Sequence, residues 1–212
     1  MAAPAATSSA LPAEDAMLEP SALPELEAEV MSSNAASEAV LRAVLKQYAF
    51  SPKVVKMEVV HRALVKAMTL LPDETFMQCM YLIPDTRHED GTVAQLNNLA
   101  ELLQSGNFAQ FWELAAEPEL RSTLDSFATF DKSIREYVAT ALEITYRRCP
   151  VDVIASALNL PADAAAAFSP AWTRDGAVVA FPARAETEPR DGSLEAPIAY
   201  ADVAELVKAL SH

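Results

Sequence analysis

The spacing of apolar residues between Ser37 and Thr145 restricts the fold more than any other feature of the sequence. In one segment after another they recur three and four positions apart, which places them on one face of an α-helix. Prolines and capping residues separate the segments at short intervals, as at Ser51-Pro52 and Pro84. We therefore predict seven or eight paired helices with no strand among them. This pattern is typical of a mainly α protein with a HEAT-like helical-repeat body, which we assign to residues 20–128.

The stretch QSGNFAQFWE, residues 104–113, contains one of only four glycines in the chain and three of its aromatic residues. Gly106 follows the end of one predicted helix, where a left-handed residue is favoured, and Asn107 can cap the next helix. The aromatic residues then fall on one helical face together with an alanine: Phe108, Phe111, Trp112 and Ala115. Helical spacing of this kind predicts core packing across a tight turn between helices, so we prefer this interpretation to a ligand site.

The pattern changes at Cys149-Pro150. Two short helical segments follow, at residues 151–158 and 161–168, and then Asp175-Gly176 signals a turn. The clearest strand of the sequence comes next, formed by Ala177, Val178, Val179, Ala180 and Phe181. This order predicts a small winged-helix domain with a short β-sheet over residues 129–212, which closes with an amphipathic helix at about 200–210.

The predicted strand over residues 177–181 carries no charge and is apolar on both faces. A sheet of two or three strands leaves an edge whose unpaired backbone groups can pair with another chain. We therefore expect this strand to form a contact with a partner protein.

The N-terminal part of the chain is acidic and rich in alanine and proline. The first 41 residues contain seven acidic residues and no basic residue, and the whole chain has a net charge of −14. We predict a disordered tail over residues 1–19, because such a composition buries too little apolar surface to offset ordering. The sequence shows neither a membrane span nor a secretory signal, and its two cysteines are far apart, so we expect a cytoplasmic protein with reduced thiols.

The motifs that support chemistry are missing from the sequence. It has no glycine-rich phosphate loop, no G-x-S-x-G elbow and no H-E-x-x-H pair. We therefore expect no catalytic residues, no metal, no cofactor and no small-molecule substrate. A winged helix raises the alternative of a DNA regulator, but the segment 161–168 has no basic residue. Together with the acidic charge, this predicts no direct binding of nucleic acid and favours a protein-binding module.

One segment, from Ser37 to Lys66, is basic in this acidic chain. It contains two acidic residues against six basic ones, namely Arg42, Lys46, Lys53, Lys56, Arg62 and Lys66. The segment either presents a solvated helix face or makes an electrostatic contact with an acidic partner.

Four stretches in register carry a resemblance to a known family. They are VLKQYAFSP at 44–52, LVKAMTLLP at 64–72, LAELLQSGNFAQFWE at 99–113 and FDKSIREYVATALEITY at 130–146, and Trp172 precedes the wing. From about Pro20 to the C-terminus, the chain resembles subunit k of eukaryotic translation initiation factor 3.

The resemblance implies a helical-repeat body with a winged helix of the PCI type. It also implies a non-catalytic scaffold subunit that pairs with subunit l and acts, through its complex, on the small ribosomal subunit. There the complex assembles the preinitiation complex and helps to recruit messenger RNA for the initiation of protein synthesis. The alternative is a small PCI-type subunit of the proteasome lid or the signalosome, which has the same fold.

Overall fold

The computed structural model describes residues 17–32, 37–84, 87, 90–183 and 208. Packing divides the chain into two units, Met1–Pro182 and Ala183–His212, and the features below belong to the described part of the first. Its helices are α1 (Leu23–Met31), α2 (Glu38–Phe50), α3 (Met57–Met68), α4 (Thr75–Leu82), α5 (Gly91–Gln104), α6 (Phe108–Ala115), α7 (Pro118–Leu124), α8 (Phe130–Thr145), α9 (Val151–Leu158) and α10 (Ala162–Ala166). Its strands are β1 (Arg148–Pro150), β2 (Thr173–Asp175) and β3 (Val178–Ala180).

The helices from α1 to α7 form the predicted helical body. Helix α2 packs against α1 and α4, and α3 packs against α1, α4, α5 and α7. The apolar faces anticipated from the sequence are buried in one continuous core, as Val44, Leu64 and Leu99 illustrate. The prediction of a mainly α protein with a helical body is confirmed.

The turn between α5 and α6 has the left-handed glycine that the sequence predicted. Gly106 has φ +77°, its N–H donates to the carbonyl of Leu103 (3.2 Å), and the Asn107 N–H donates to that of Leu102 (2.8 Å). These two bonds define a Schellman motif, which satisfies carbonyls at the end of α5. Asn107 occupies the N-cap of α6, but its side chain makes no capping hydrogen bond, so that detail of the prediction is wrong.

The region after α7 has the connectivity of a winged helix. Helix α8 leads into β1, then α9 and α10, and finally the hairpin of β2 and β3. The sheet is antiparallel with the strand order β1-β3-β2, and Gly176 allows the hairpin turn with φ +62°. The small winged-helix fold with a short sheet is therefore confirmed, although the sequence did not indicate β1. Three residues are too few to show an alternating pattern.

The position expected for the apolar strand is wrong. Strand β3 is the central strand, because Val179 is opposite Cys149 on one side and Arg174 on the other. Its backbone groups are therefore already paired, and it offers no edge to another chain. The true edges are β1 and β2, and their exposed Arg148, Arg174 and Asp175 are the kind of charged residues that discourage strand addition.

The start of the ordered body also differs from the prediction. Met17 is only 2% exposed, and the Gln47 side-chain amide donates to the carbonyls of Met17 (2.6 Å) and Glu19 (3.1 Å). Residues 17–19 therefore pack on the body and are not part of a tail. Residues 1–16 lie outside the described residues, as does the predicted helix at 200–210 except for Lys208. A domain boundary at residues 128 and 129 stays a prediction.

Candidate protein-binding surfaces

Two residues of the basic segment have a role inside the protein. Lys66 is 2% exposed, and its ammonium group donates to the carbonyls of Glu29 (3.3 Å) and Ser32 (2.9 Å) at the end of α1. Burial lowers the pKa of Lys66, and nearby Arg62 lowers it further. The Arg62 guanidinium donates to the carbonyls of Met31 and Ser126. Both bases thus hold the C-terminal end of α1 and cannot belong to an exposed contact face.

Lys56 and Arg42 are also engaged within the protein. The Lys56 ammonium group pairs with the buried carboxylate of Glu27, which accepts a hydrogen bond from the Tyr48 hydroxyl (2.6 Å) as well. Burial pushes the pKa of Glu27 upward, but the bonds from Lys56 and Tyr48 outweigh it, and the pKa is lowered overall.

Arg42 Nη1 contacts Glu38 (2.6 Å) and Gln78 (2.8 Å). Lys46 and Lys53 are exposed, and neither forms an ion pair with another residue that the structure describes. The six bases therefore do not form one basic face. The interpretation as a single contact surface is wrong, because four of them neutralise or bind groups of the protein itself.

A groove of about 740 Å³ lies beside the α5–α6 turn, between α8 and α9. Phe108 and Tyr137 are half-buried on its wall, whereas Tyr146 (45% exposed) and Val153 (44% exposed) present apolar surface to solvent. Asp152 is the one charged residue in the described lining. Exposed apolar side chains gathered at a groove are typical of a surface that binds another protein.

The aromatic cluster of Phe111 and Trp112 binds the backbone of α9 at Ala157, one of the residues that line the groove. Trp112 Nε1 donates to the Ala157 carbonyl (2.9 Å), and its ring makes an edge-to-face contact with Phe111. The Arg135 guanidinium lies 5.1 Å from the centre of the Trp112 ring and donates to the Leu158 carbonyl. Phe111 and Trp112 are buried, so the prediction that this cluster is core rather than a ligand site is confirmed for them.

Sequence reasoning missed this groove, although a signal was present. Tyr146 and Val153, which line the groove, are large apolar residues outside the buried faces of α8 and α9. Those buried faces carry Ile134, Val138 and Leu142 on α8 and Ile154 and Leu158 on α9. Large apolar residues on a predicted polar face are the feature that could have indicated a binding surface.

Two arginines of the winged-helix region, Arg148 and Arg174, form ion pairs. Helix α10 has the sequence ADAAA, and its Asp163 binds Arg174 (2.8 Å) from β2. On the sheet, Arg148 binds Asp175 (2.9 Å). A nucleic-acid reader would present basic or amide side chains from the second helix, and α10 presents an acid that neutralises an arginine.

In the part of the chain that the structure describes, no three His, Cys, Asp or Glu side chains come together in a way that could hold a metal ion. Within the same residues, no helix is both long and apolar enough to cross a membrane.

Comparison with known proteins identifies the family. Residues 54–192 match the model of the CSN8/PSMD8/EIF3K family. The chain is also similar to eukaryotic translation initiation factor 3 subunit K of Danio rerio, with 32% identity over 121 residues, 57% of this chain and 54% of the relative. The same subunit of Xenopus laevis is 33% identical over 105 residues, and that of Homo sapiens 32% over 105 residues; each match covers 50% of this chain and 47% of the relative. The chain spans about half the length of these curated relatives. Because the family model matches well over half of its residues, the chain belongs to the CSN8/PSMD8/EIF3K family.

Proposed function

We propose that the protein is a non-catalytic scaffold subunit of eukaryotic translation initiation factor 3. In this role it acts in the cytoplasm, in assembly of the preinitiation complex on the small ribosomal subunit and in recruitment of messenger RNA. The observation that carries the proposal is that the three relatives named above are subunit K of this factor. The alternative, a subunit of the proteasome lid or the signalosome, shares the fold but lacks this support.

Within this function, the groove between α8 and α9 is the contact with a neighbouring subunit. Its exposed Tyr146 and Val153 supply apolar surface, and Asp152 supplies one negative charge at the lining. These features fit a segment that presents apolar side chains and one basic side chain. The resemblance in the sequence points to subunit l as the source of that segment.

Purification of the tagged protein from its own cells tests the function. We expect the other subunits of the initiation factor and proteins of the small ribosomal subunit to co-purify. Recovery of proteasome-lid or signalosome subunits in their place would support the alternative.

A second purification tests whether the groove is the contact with subunit l, independently of the proposed function. The variant Tyr146→Ser/Val153→Asp changes only exposed side chains of the groove, and Phe50→Ser changes an exposed side chain of α2 outside it. We expect the groove variant to lose subunit l at least about tenfold, the effect of roughly 1.4 kcal/mol, while Phe50→Ser retains it. If both variants retain subunit l, the groove is not the contact, although the proposed function stands.

A further inference from the structure

Helix α1 is attached to the rest of the protein by little apolar surface. Of its nine residues only Leu26, Glu27 and Val30 are buried, and one of these is charged. Helix α3, on which α1 packs, buries seven apolar residues among its twelve. Elements with few buried apolar contacts open at the lowest free energy, so α1 should leave the body more easily than α3.

A buried carboxylate gives α1 its first polar attachment. Glu27 accepts hydrogen bonds from the Tyr48 hydroxyl (2.6 Å) and from the Lys56 ammonium group. An uncharged side chain in place of Glu27 would leave that ammonium group without its counter-ion. Hydrogen bonds to a charged group are about twice as strong as neutral ones. The contact therefore selects a helix with an acidic residue at this position.

The second polar attachment is at the C-terminal end of α1. Lys66 donates to the carbonyls of Glu29 (3.3 Å) and Ser32 (2.9 Å), and Arg62 donates to that of Met31. The last carbonyls of a helix lack partners within the helix and carry partial negative charge, which a cation stabilises. Because these bonds are made to the backbone, they fit the end of any helix in this position and do not require the side chains of α1.

We propose that α1 is the resident ligand of an exchangeable site for acidic helices, and that an acidic helix of a partner protein binds there in its place. The site is built from one tyrosine and three basic residues: Tyr48, Lys56, Arg62 and Lys66. Its ligand has an acidic residue directly after one apolar residue and three positions before another, as Glu27 lies between Leu26 and Val30, and it ends shortly after the second apolar residue. While α1 is bound, the groups that bind the helix are occupied, so the site is open to the partner only after α1 leaves.

The covalent link to α2 determines how strongly α1 competes for the site. A segment on a short tether has an effective concentration on the order of millimolar at its own site. A free helix that makes the same contacts therefore displaces half of α1 only near that concentration, whatever the strength of the contacts. A partner that is held beside the protein in an assembly has an effective concentration of the same order. Exchange is thus balanced within an assembly and rare in the isolated chain.

Competition with a synthetic peptide tests the exchange in the full chain. The probe is a fluorescently labelled peptide with the sequence of residues 17–32, and fluorescence anisotropy measures its binding. We expect the parent chain to bind it with a Kd on the order of 1 mM. Ala28→Gly in the chain, at an exposed position of α1, weakens the resident helix alone and should lower this Kd about fivefold. Ala94→Gly, the same change at an exposed position of α5, should leave the Kd unchanged.

Variants of the peptide test the chemistry of the site. A peptide with Glu27→Gln should bind the Ala28→Gly chain at least about fivefold more weakly than the parent peptide, because Tyr48 and Lys56 then lack their carboxylate. A peptide with Glu19→Gln loses the same charge outside the helix and should bind like the parent peptide.

Three results would overturn the proposal. The first is equal affinity of the Ala28→Gly and Ala94→Gly chains for the peptide, or no binding by either. The second is equal binding of the Glu27→Gln and parent peptides. The third is a dimer of the parent chain that the peptide dissociates, which would make α1 of a second copy the occupant in place of a partner's helix.

Hydrogen exchange of the full chain tests whether α1 opens by itself. We expect the slowest amides of α1 to be at least about tenfold less protected than the slowest amides of α5. Their exchange should also respond weakly to urea, because little surface is exposed when α1 leaves. Equal protection and equal urea dependence in the two helices would mean that α1 opens only with global unfolding, and the exchange would be refuted.

Discussion

At the scale of single residues, the two tryptophans join parts of the protein that are distant in sequence. The indole N–H of Trp112 donates to Ala157 on α9, and that of Trp172 donates to the buried carboxylate of Glu143 on α8 (2.6 Å). Trp172 also makes an edge-to-face contact with Phe181. Each ring thus combines apolar burial with one directed bond, which specifies how the winged-helix elements pack on the helices.

Replacing Trp112 separates these two contributions. We expect Trp112→Ala to lower the free energy of unfolding by roughly 3–5 kcal/mol, because it empties a large buried site. Trp112→Phe retains much of the ring but leaves the Ala157 carbonyl without its donor, and should cost roughly 1–3 kcal/mol. Urea unfolding measures both, with exposed Tyr81→Ala as a control expected within about 0.5 kcal/mol of the parent. Equal stability of Trp112→Ala and the parent would contradict the buried position of the ring.

The lowered pKa of Glu27 predicts a pH dependence of stability. A carboxylate whose folded pKa lies below its unfolded value of about 4.5 stabilises the fold fully above that pH, and this stabilisation is lost as the pH falls through the folded pKa. We therefore expect Glu27→Gln to destabilise the protein at neutral pH and to show a flatter decline below about pH 4.5 than the parent.

Urea unfolding between about pH 7 and about pH 3 measures this difference. Asp90, whose pKa is also lowered, is present in both proteins, so its contribution cancels in the comparison. Glu25→Gln, an exposed site on the same helix, should follow the parent curve. Parallel curves for Glu27→Gln and the parent would refute the assignment of this part of the acid sensitivity to Glu27.

At the scale of elements, prediction succeeded where local chemistry decides the conformation. Gly106 ends α5 as the sequence indicated, and Ser37, a residue type favoured at helix N-caps, accepts a hydrogen bond from the Val40 N–H at the start of α2. Prediction failed for β1, whose three residues are strand only because β3 pairs with them. It failed for the basic segment because a charge count cannot tell an exposed lysine from Lys66, which binds carbonyls 34 and 37 residues away.

Replacing glycine with alanine should affect stability in opposite directions at Gly106, which follows α5, and at Gly91, in the first turn of α5. A methyl group meets no atom within 4 Å at Gly106 or at Gly91, so the backbone decides the outcome. Gly106→Ala forces alanine into a left-handed conformation and should cost about 1–2 kcal/mol. Gly91→Ala, in the first turn of α5, should stabilise by about 0.4–1 kcal/mol through the unfolded chain. Thermal unfolding checks both, and a destabilised Gly91→Ala or an unchanged Gly106→Ala would contradict this account.

At the scale of the whole molecule, the spacing of apolar residues correctly predicted a helical body, but composition misplaced the N-terminal limit of that body. Residues 17–19 belong to an acidic, proline-containing stretch, and such composition describes an average rather than a particular contact. The buried Gln47 amide makes that contact by binding the Met17 and Glu19 carbonyls. The groove at α8 and α9 escaped prediction for a similar reason, because its walls come from segments separated in the sequence.

Two truncations locate the N-terminal limit of the stable body. Removing residues 1–16 leaves Met17 and both carbonyl acceptors of Gln47 in place, so we expect little change in the free energy of unfolding. Removing residues 1–19 also deletes the buried Met17 side chain and both acceptors of Gln47, and should cost roughly 2–5 kcal/mol. Unfolding in urea at neutral pH compares the two, and equal stabilities would mean that Met17 contributes nothing to the core.

The charge distribution predicts that the isolated protein binds neither duplex DNA nor RNA appreciably at physiological salt. The net charge of −14 repels a phosphate backbone, and the helix at the recognition position, α10, has no basic residue. Arg174 and Arg148 are near the wing, but Asp163 and Asp175 neutralise them. We expect fluorescence anisotropy with labelled duplexes to give no sub-micromolar affinity, and Asp163→Ala/Asp175→Ala, which frees both arginines, to raise the affinity. Tight, steeply salt-dependent binding by the parent would contradict the interpretation of this winged helix as a protein-binding module.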